Sequence, residues 1–354
     1  MRKLVFAIIA IATAVLMSAC AADVSKPDGM DAAANNDARM ADYFPANENT
    51  LLVYQGEGSE YASYQVYTDY TKDGYLQQRV DTGGTAVVRV IRMNKNRVEV
   101  VFSAGEIYYR QNMLDMEKNP TEALLKAPLE NGHSWLLGDG RIRTVTGIGI
   151  PVETPTGSFE TLEVTTEGPY GKAMDYYAKG VGLVKTVYVS EGGPVISALS
   201  AVERDVPLTQ IVRFWYPNAS TGKLGYIDKE VNFFTNDITR KVLAEAYKET
   251  PPEPLGSVFT PGAEINSLYL NDDGMVYIDL NIAFREEMNA GAAYEQMILQ
   301  SVANTFARYY GVTRVLLTVD GQPYESGHIV LQPGEYLTAD DSTADPAAAL
   351  PEAE

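Results

Sequence analysis

Residues 294–309 read YEQMILQSVANTFARY. Tyr294, Met297, Ile298, Ser301, Val302, Thr305, Phe306 and Tyr309 recur at the i, i+3, i+4 spacing of one buried helical stripe. Gly311 follows as a helix stop, because glycine adopts the left-handed conformation without a Cβ penalty. Such a stripe needs a sheet to lie on, and strand-like runs flank it. Ile211 to Tyr216 is one, ended by Pro217. Ile265 to Leu270 and Met275 to Leu280 are joined by Asp273-Gly274 and read as a hairpin. Val312 to Val319 passes through Asp320-Gly321 toward a final run, Ile329-Val330-Leu331, which suggests another. An earlier helix is expected from Ile238 to Tyr247, with Asn236 or Asp237 as cap and Pro251-Pro252 as stop. The order strand, helix, two strands, helix, two strands predicts an α/β sandwich over residues 209–333, with helices on one sheet face.

Upstream, residues 43–204 break into short strand-like runs. Gln65-Val66-Tyr67, Ala86 to Ile91, Arg97 to Phe102, Thr161 to Val164 and Leu183 to Tyr188 alternate or are apolar. Asp73-Gly74, Gly83-Gly84, Asn94-Lys95-Asn96 and Asp139-Gly140 supply the turns. One short helix is expected from Pro120 to Lys126, with Asn119 as cap. The rest predicts a curved antiparallel sheet or open barrel. The fold class is therefore α+β, a mainly antiparallel β half-barrel domain followed by the sandwich. A chain of 354 residues has room for both cores.

The ends read differently. Arg2 and Lys3 precede an apolar run, Leu4 to Leu16, and a small-residue site, Met17-Ser18-Ala19-Cys20, which is the layout of a secretory signal. The run is short for a membrane span. A cysteine directly after the cleavage point resembles a bacterial lipoprotein signal, in which that thiol is acylated. Residues 1–20 are thus expected to direct export, with lipidation at Cys20 anchoring the protein to the cell membrane or outer membrane. Acyl chains add about 0.8 kcal/mol per buried methylene. Cys20 is the only cysteine, so no thiol is left for disulfide, metal or nucleophilic chemistry. Residues 21–42 are expected to form a disordered tether and residues 338–354 a disordered acidic tail, since neither carries a core-forming pattern.

Twenty-eight basic against 47 acidic residues give a net charge of -19. That charge repels phosphate backbones and excludes nucleic acid as a partner. His133 and His328 lack companions at metal-ligand spacing and read as structural or exposed. No Gly-x-Ser-x-Gly elbow occurs. The acid pairs Asp272-Asp273, Glu286-Glu287 and Asp340-Asp341 belong to a hairpin turn, a helix entry and the tail, without calcium-loop spacing. Gly180-Val181-Gly182 leads into strand formers, so it is no phosphate loop. No catalytic residue, cofactor or metal is expected. Tyr54, Tyr61, Tyr64, Tyr67, Tyr70, Tyr75, Tyr108 and Tyr109 fit sheet-face packing first and a ligand groove second.

Three phrases in the first region carry a resemblance: Leu124 to Trp135, Val152 to Phe159 and Tyr176 to Lys185. They are similar to the half-barrel proteins related to the outer-membrane lipoprotein carriers. That resemblance implies a concave apolar face able to hold an acyl chain or other hydrophobic ligand.

The second region resembles the GerMN domain of sporulation, spore-germination and envelope lipoproteins. The matching residues are Val212 to Pro217, Thr260-Pro261-Gly262, Val276 to Asn281 with Phe284, Gln300 to Phe306, Gly311-Val312 and Val315 to Gly321. Pro217, Pro261, Gly262, Asp279, Phe284, Thr305, Gly311, Asp320 and Gly321 are the motif positions, with structural roles expected. One departure is the loop Pro251-Pro252-Glu253-Pro254-Leu255-Gly256, where family members commonly carry a Gly-Pro step. The resemblance implies assembly with envelope proteins or with copies of itself, and no catalysis. The leading expectation is a lipid-anchored, non-enzymatic envelope protein that acts as an assembly module. The alternative is a carrier holding an acyl chain or lipoprotein in the half-barrel.

Overall fold

A computed structural model describes residues 40–116, 122–169 and 171–343. The signal segment, Cys20 and most of the expected tether lie outside the described residues. Twelve antiparallel strands form one sheet. They are β1 (Thr50–Glu57), β2 (Tyr64–Lys72), β3 (Tyr75–Asp81), β4 (Ala86–Asn94), β5 (Arg97–Ala104), β6 (Glu122–Lys126), β7 (Ser134–Leu136), β8 (Ile142–Thr154), β9 (Gly157–Gly168), β10 (Gly171–Ala178), β11 (Gly182–Ser190) and β12 (Gly193–Arg204). Their spatial order is β6-β5-β4-β3-β2-β1-β12-β11-β10-β9-β8-β7. All neighbours but β1 and β12 are consecutive in sequence, as a hairpin meander requires.

The sheet curls until its two ends meet, so it is nearly closed and not a half-barrel. At the seam Trp135 Nε1 and Arg143 Nη1 donate to the Ala123 carbonyl, at 3.0 and 2.9 Å. Side chains thus do there what a strand pair does elsewhere, and the exposed edge that invites aggregation is covered. Within the stretch 120–126 where a helix is expected, the described residues, 122–126, form an edge strand instead: Val98 pairs with Leu125 and Val100 with Glu122. Local capping signals lost to the free edge of β5, which needed a partner for its backbone, and to burial of Leu124 and Leu125.

Ordered structure also reaches further at both ends than expected. Residues 40–43 are helical, and Met40, Tyr43 and Phe44 are buried among Leu76, Ile91, Leu125 and Trp135. At the other end β19 (Leu337–Thr338) pairs with Arg314 and Val315. Asn304, fully buried, donates to Asp340 O at 3.0 Å and accepts from Asp340 N at 2.8 Å. That reciprocal amide pair orders the first part of the expected tail.

The second region holds a two-stranded ribbon, β13 (Leu208–Asn218) with β14 (Lys223–Phe233), and a separate mixed sheet. The mixed sheet comprises β15 (Ile265–Leu270), β16 (Val276–Leu280), β17 (Arg314–Val319), β18 (Gln322–Pro323) and β19. Only β16 and β17 run parallel, joined by the crossover that contains the long helix. The helices are α1 (Thr239–Lys248), a short α2 (Ala283–Glu286) and α3 (Ala292–Tyr310). The run Ile329 to Leu331 makes only an isolated bridge, Glu325 with Val330. Asn236 and Asp237 do not cap α1: Ile238 stands at its N-cap without a side-chain bond. Asn236 Oδ1 instead accepts from Thr71 N, and Asp237 Oδ2 from Phe234 N.

Helix α3 packs on β13 and also touches β16, β17 and β19. Its buried face is therefore wider than a single stripe and takes in Leu299, Ala303 and Ala307. Gly311 sits at φ 71° and its N–H closes the last turn. The packing does not divide between residues 204 and 209. One cluster joins Tyr70, Val88, Val90, Val101 and Tyr109 of the barrel to Phe214, Phe233, Tyr247, Phe306 and Tyr310.

Candidate functional site

The alternation of β2, β3 and β4 explains how one sheet serves two purposes. Tyr64, Val66, Gln78, Val80 and Arg89 line a cavity inside the barrel. Tyr67, Asp69, Gln77, Val88 and Val90 lie at alternate positions, where Tyr67 OH donates to Phe233 O at 3.2 Å and Val88 and Val90 join the core shared with the second region. Period-two geometry sends neighbours to opposite faces, so each of these strands is buried on both.

The junction on the outer face is held by charge as well as by oil. Arg110 is fully buried. Its guanidinium donates to Asp69 O (2.8 Å), Phe234 O (3.0 Å), Asp237 O (2.6 Å), Tyr70 OH (2.9 Å) and Thr239 Oγ1 (3.0 Å). Arg79 donates to Asp69 Oδ2 at 3.1 Å and to Tyr109 O at 2.8 Å. Arginine suits this place because its planar fork can satisfy several acceptors at once while remaining charged.

The inner cavity has a volume of about 280 Å³. Its apolar wall is Phe44, Leu52, Val66, Val80, Val181 and Leu183, and Tyr54 stacks on Tyr64 with ring centroids 4.4 Å apart. Tyr54 OH donates to Leu183 O at 2.7 Å. The polar wall holds Arg89, Glu122, Arg143 and Asp175. Arg143 donates to Glu122 Oε1 at 2.5 Å and to Thr166 Oγ1 at 2.9 Å. Asp175 accepts from Thr186 Oγ1 at 2.8 Å, and burial pushes its carboxyl toward the protonated form. Burial raises the Tyr64 and Tyr177 hydroxyls as well, so both stay neutral.

Of the tyrosines named from sequence, Tyr54 and Tyr64 line the cavity, while Tyr67, Tyr70 and Tyr109 are buried at the junction. Tyr61 and Tyr108 are exposed. His133 is half-buried against Trp135, with ring centroids 5.9 Å apart, and His328 is exposed. Among the described residues no group of three or more His, Cys, Asp and Glu side chains is placed to hold a metal ion. No helix among them is long and apolar enough to cross a membrane. Gly180-Val181-Gly182 forms the tight turn between β10 and β11, its first and last glycines at φ 72° and 99°.

The motif positions act as latches. Asp279 accepts from Thr318 Oγ1 (2.6 Å), Gly321 N (2.7 Å) and Asn266 Nδ2 (2.9 Å). Asn266 Nδ2 also reaches Asp320 Oδ1 at 3.1 Å. Asp320 and Gly321 take φ 46° and 74°, the left-handed turn that follows β17. Thr305 Oγ1 accepts from Trp215 N at 2.9 Å, tying α3 to β13. Phe284 is buried edge-on to Phe259 and Tyr324. Next to Pro261, Gly262 N donates to Glu287 Oε2 at 3.1 Å. Pro217 O accepts from Gly256 N at 2.8 Å. The departing loop is thus pinned to the end of β13.

A nearly closed barrel with an internal cavity, joined through a shared core and a buried arginine to a smaller unit of helices and mixed sheet, defines a two-part scaffold. Residues 214–325 match the family model Germane, described as sporulation and spore germination. That segment is a Germane domain, the family to which the GerMN resemblance pointed. The tandem GerMN domains of the sporulation protein GerM from Bacillus subtilis are similar at 18% identity and a TM-score of 0.30. That match covers 37% of this chain and 46% of the other, so the chain spans less than half of the tandem structure's length. The first GerMN domain of the same protein is 16% identical with a TM-score of 0.28, covering 37% of this chain and 97% of that one. A Bacteroides fragilis protein with a YmcC-like fold is 13% identical with a TM-score of 0.28, covering 46% and 99%. No curated protein matches the chain.

Proposed function

We propose that this chain is a non-enzymatic cell-envelope protein, lipid-anchored at Cys20, whose Germane domain serves as an assembly or interaction module. The observation that carries this reading is the family match over residues 214–325. In this reading ribbon, mixed sheet and α3 together stand as the α/β sandwich of a GerMN domain. Its work is done on envelope proteins or on further copies of the chain, in a setting linked to sporulation or germination by the family's description. Tyr269, Val330 and Tyr336 remain exposed on it and offer apolar contacts. Anchored in-membrane cross-linking of the full chain tests the idea. Higher oligomers, or one reproducible envelope partner linked through residues 209–333, are expected. A chain that stays monomeric and unlinked in its own membrane overturns it.

The barrel cavity favours a second reading, that residues 43–204 carry a hydrophobic ligand while the Germane domain positions it. Concave sites that set polar groups against apolar side chains, as this one does, are a usual form of small-molecule sites. Native mass spectrometry of the full chain, released gently from membranes, should then show a retained lipid mass. A bare chain from lipid-replete cells counts against carriage.

A further inference from the structure

Arg89 is the unmatched group of the cavity wall. It lies on β4 between Val88 and Val90, whose side chains pack into the core shared with the Germane domain, and it lines the opposite, inner face. Its Nε is sealed from solvent without a partner. Among the described residues no hydrogen bond or ion pair engages the rest of the guanidinium. The Nε atoms of Arg79 and Arg110 are unpaired too, but their terminal nitrogens are engaged, which sets Arg89 apart. A buried donor left unpaired costs about 1–3 kcal/mol, more for a charged group, a cost that a ligand in the cavity would offset. The other cavity arginine is not in this state, because Arg143 is spent on Glu122, Thr166 Oγ1 and Ala123 O. Asp175 does not neutralise Arg89 by contact: its carboxyl is engaged by Thr186 and lies 4.0 Å from Arg143.

We infer that the cavity takes a single-chain fatty acid as its carboxylate, with Arg89 as the headgroup anchor and Leu52, Val66, Val80 and Leu183 against the chain. The inference rests on the carrier reading and adds to it the chemistry of the ligand. A carboxylate matches the guanidinium fork through two parallel hydrogen bonds. The wall favours an anion over a cation, since its free group is a donor and its two acids are already bonded. Burial also holds Asp175 toward its neutral form, which lowers repulsion of an incoming carboxylate. Size points to one chain. At about 280 Å³ the cavity stands at the lower edge of ligand pockets, which run from about 300 to 1,000 Å³.

The test uses the full chain in phospholipid nanodiscs and two probes, a twelve-carbon fatty acid with a terminal diazirine and its methyl ester. After irradiation, labelled peptides are mapped by mass spectrometry. The acid should label peptides containing Leu52, Val66, Val80 or Leu183, and dodecanoate should compete at least tenfold better than methyl dodecanoate. Arg89→Gln should abolish that preference and Arg89→Lys should restore part of it. Equal labelling and equal competition by acid and ester would leave carriage standing and overturn the headgroup assignment. Absence of cavity labelling by either probe would overturn both. The acid-to-ester comparison needs no variant, so it decides the matter even if Arg89→Gln fails to fold.

Discussion

Replacing Arg110 with methionine should be among the most damaging single changes in the protein. The guanidinium is fully buried and donates to three backbone carbonyls and two hydroxyls. Methionine restores most of the volume, so the loss is chiefly of charged hydrogen bonds. Asp69 keeps Arg79 at 3.1 Å and Gln77 at 3.3 Å, which limits the damage on that side. The carbonyls of Asp69 and Phe234 keep backbone donors, Asn236 N at 3.0 Å and Asp237 N at 3.1 Å, so the acceptor that loses most is the Asp237 carbonyl, bonded by Arg110 at 2.6 Å. Stranding the Asp237 carbonyl and removing one of the two arginines beside the buried Asp69 carboxylate costs about 3–5 kcal/mol. Equilibrium urea unfolding, followed by tryptophan fluorescence, reads the change directly. Trp215 reports from the second region and Trp135 from a separate cluster inside the barrel, and their signals should shift together because β4 and β5 contribute side chains both to that cluster and to the core shared with the second region. Lys248→Ala serves as the contrast: its partner Glu245 is 72% exposed, and such surface pairs contribute about 0–1 kcal/mol. A loss below about 1 kcal/mol for Arg110→Met, or one equal to that of Lys248→Ala, would refute the reasoning.

Three other outcomes are expected. Asn304→Ala should cost about 1–3 kcal/mol and make residues 337–343 exchange amide hydrogens faster than α3 itself; unchanged protection there would sink the latch assigned to Asn304. At Gly56 an added Cβ would lie 2.3 Å from backbone atoms of Ala62 and Ser63, so Gly56→Ala should destabilise by about 1–3 kcal/mol, and a neutral thermal shift would contradict that geometry. Asp175 has its carboxyl pKa raised, first by burial. The folded chain then binds a proton more tightly than the unfolded one, so this group's contribution is fully present below its unfolded pKa and declines as pH rises through the folded value. Asp175→Asn should therefore flatten the loss of stability above about pH 4; a variant whose stability parallels the parent at every pH would disprove it.

Much of the scaffold was legible in local chemistry. Asp73-Gly74 reads as a tight hairpin and adopts φ 50° and 79°, because that turn demands positive φ at both positions. The period of residues 294–309 and Gly311 place α3, and the motif residues from Pro217 to Gly321 point to the Germane domain. The ribbon strand β14 was missed although Gly222, at φ 69°, marked its turn. The alternation after it is broken by Gly225 and three charges. Strand β6 was missed because its strongest local signals favour a helix, and only the free edge of β5 decides otherwise. The cavity was read only as far as a concave face. Arg89, Arg110 and Asp175 look like ordinary polar members of alternating strands and loops.

The Asp73-Gly74 turn, the long helix with its Gly311 stop and the resemblance of the second region were thus legible in the sequence itself, since each depends on local residue patterns, whereas β6, β14 and the start of α1 were not. What covers each face of β2 to β4 depends on partners more than a hundred residues away, among them Phe233 for Tyr67 and Thr239 for Tyr70. Tertiary structure alone therefore decided that Arg110 joins two units into one core and that Arg89 faces a cavity. Alternation tells which side chains share a face; only the completed packing says whether that face meets water, protein or a ligand.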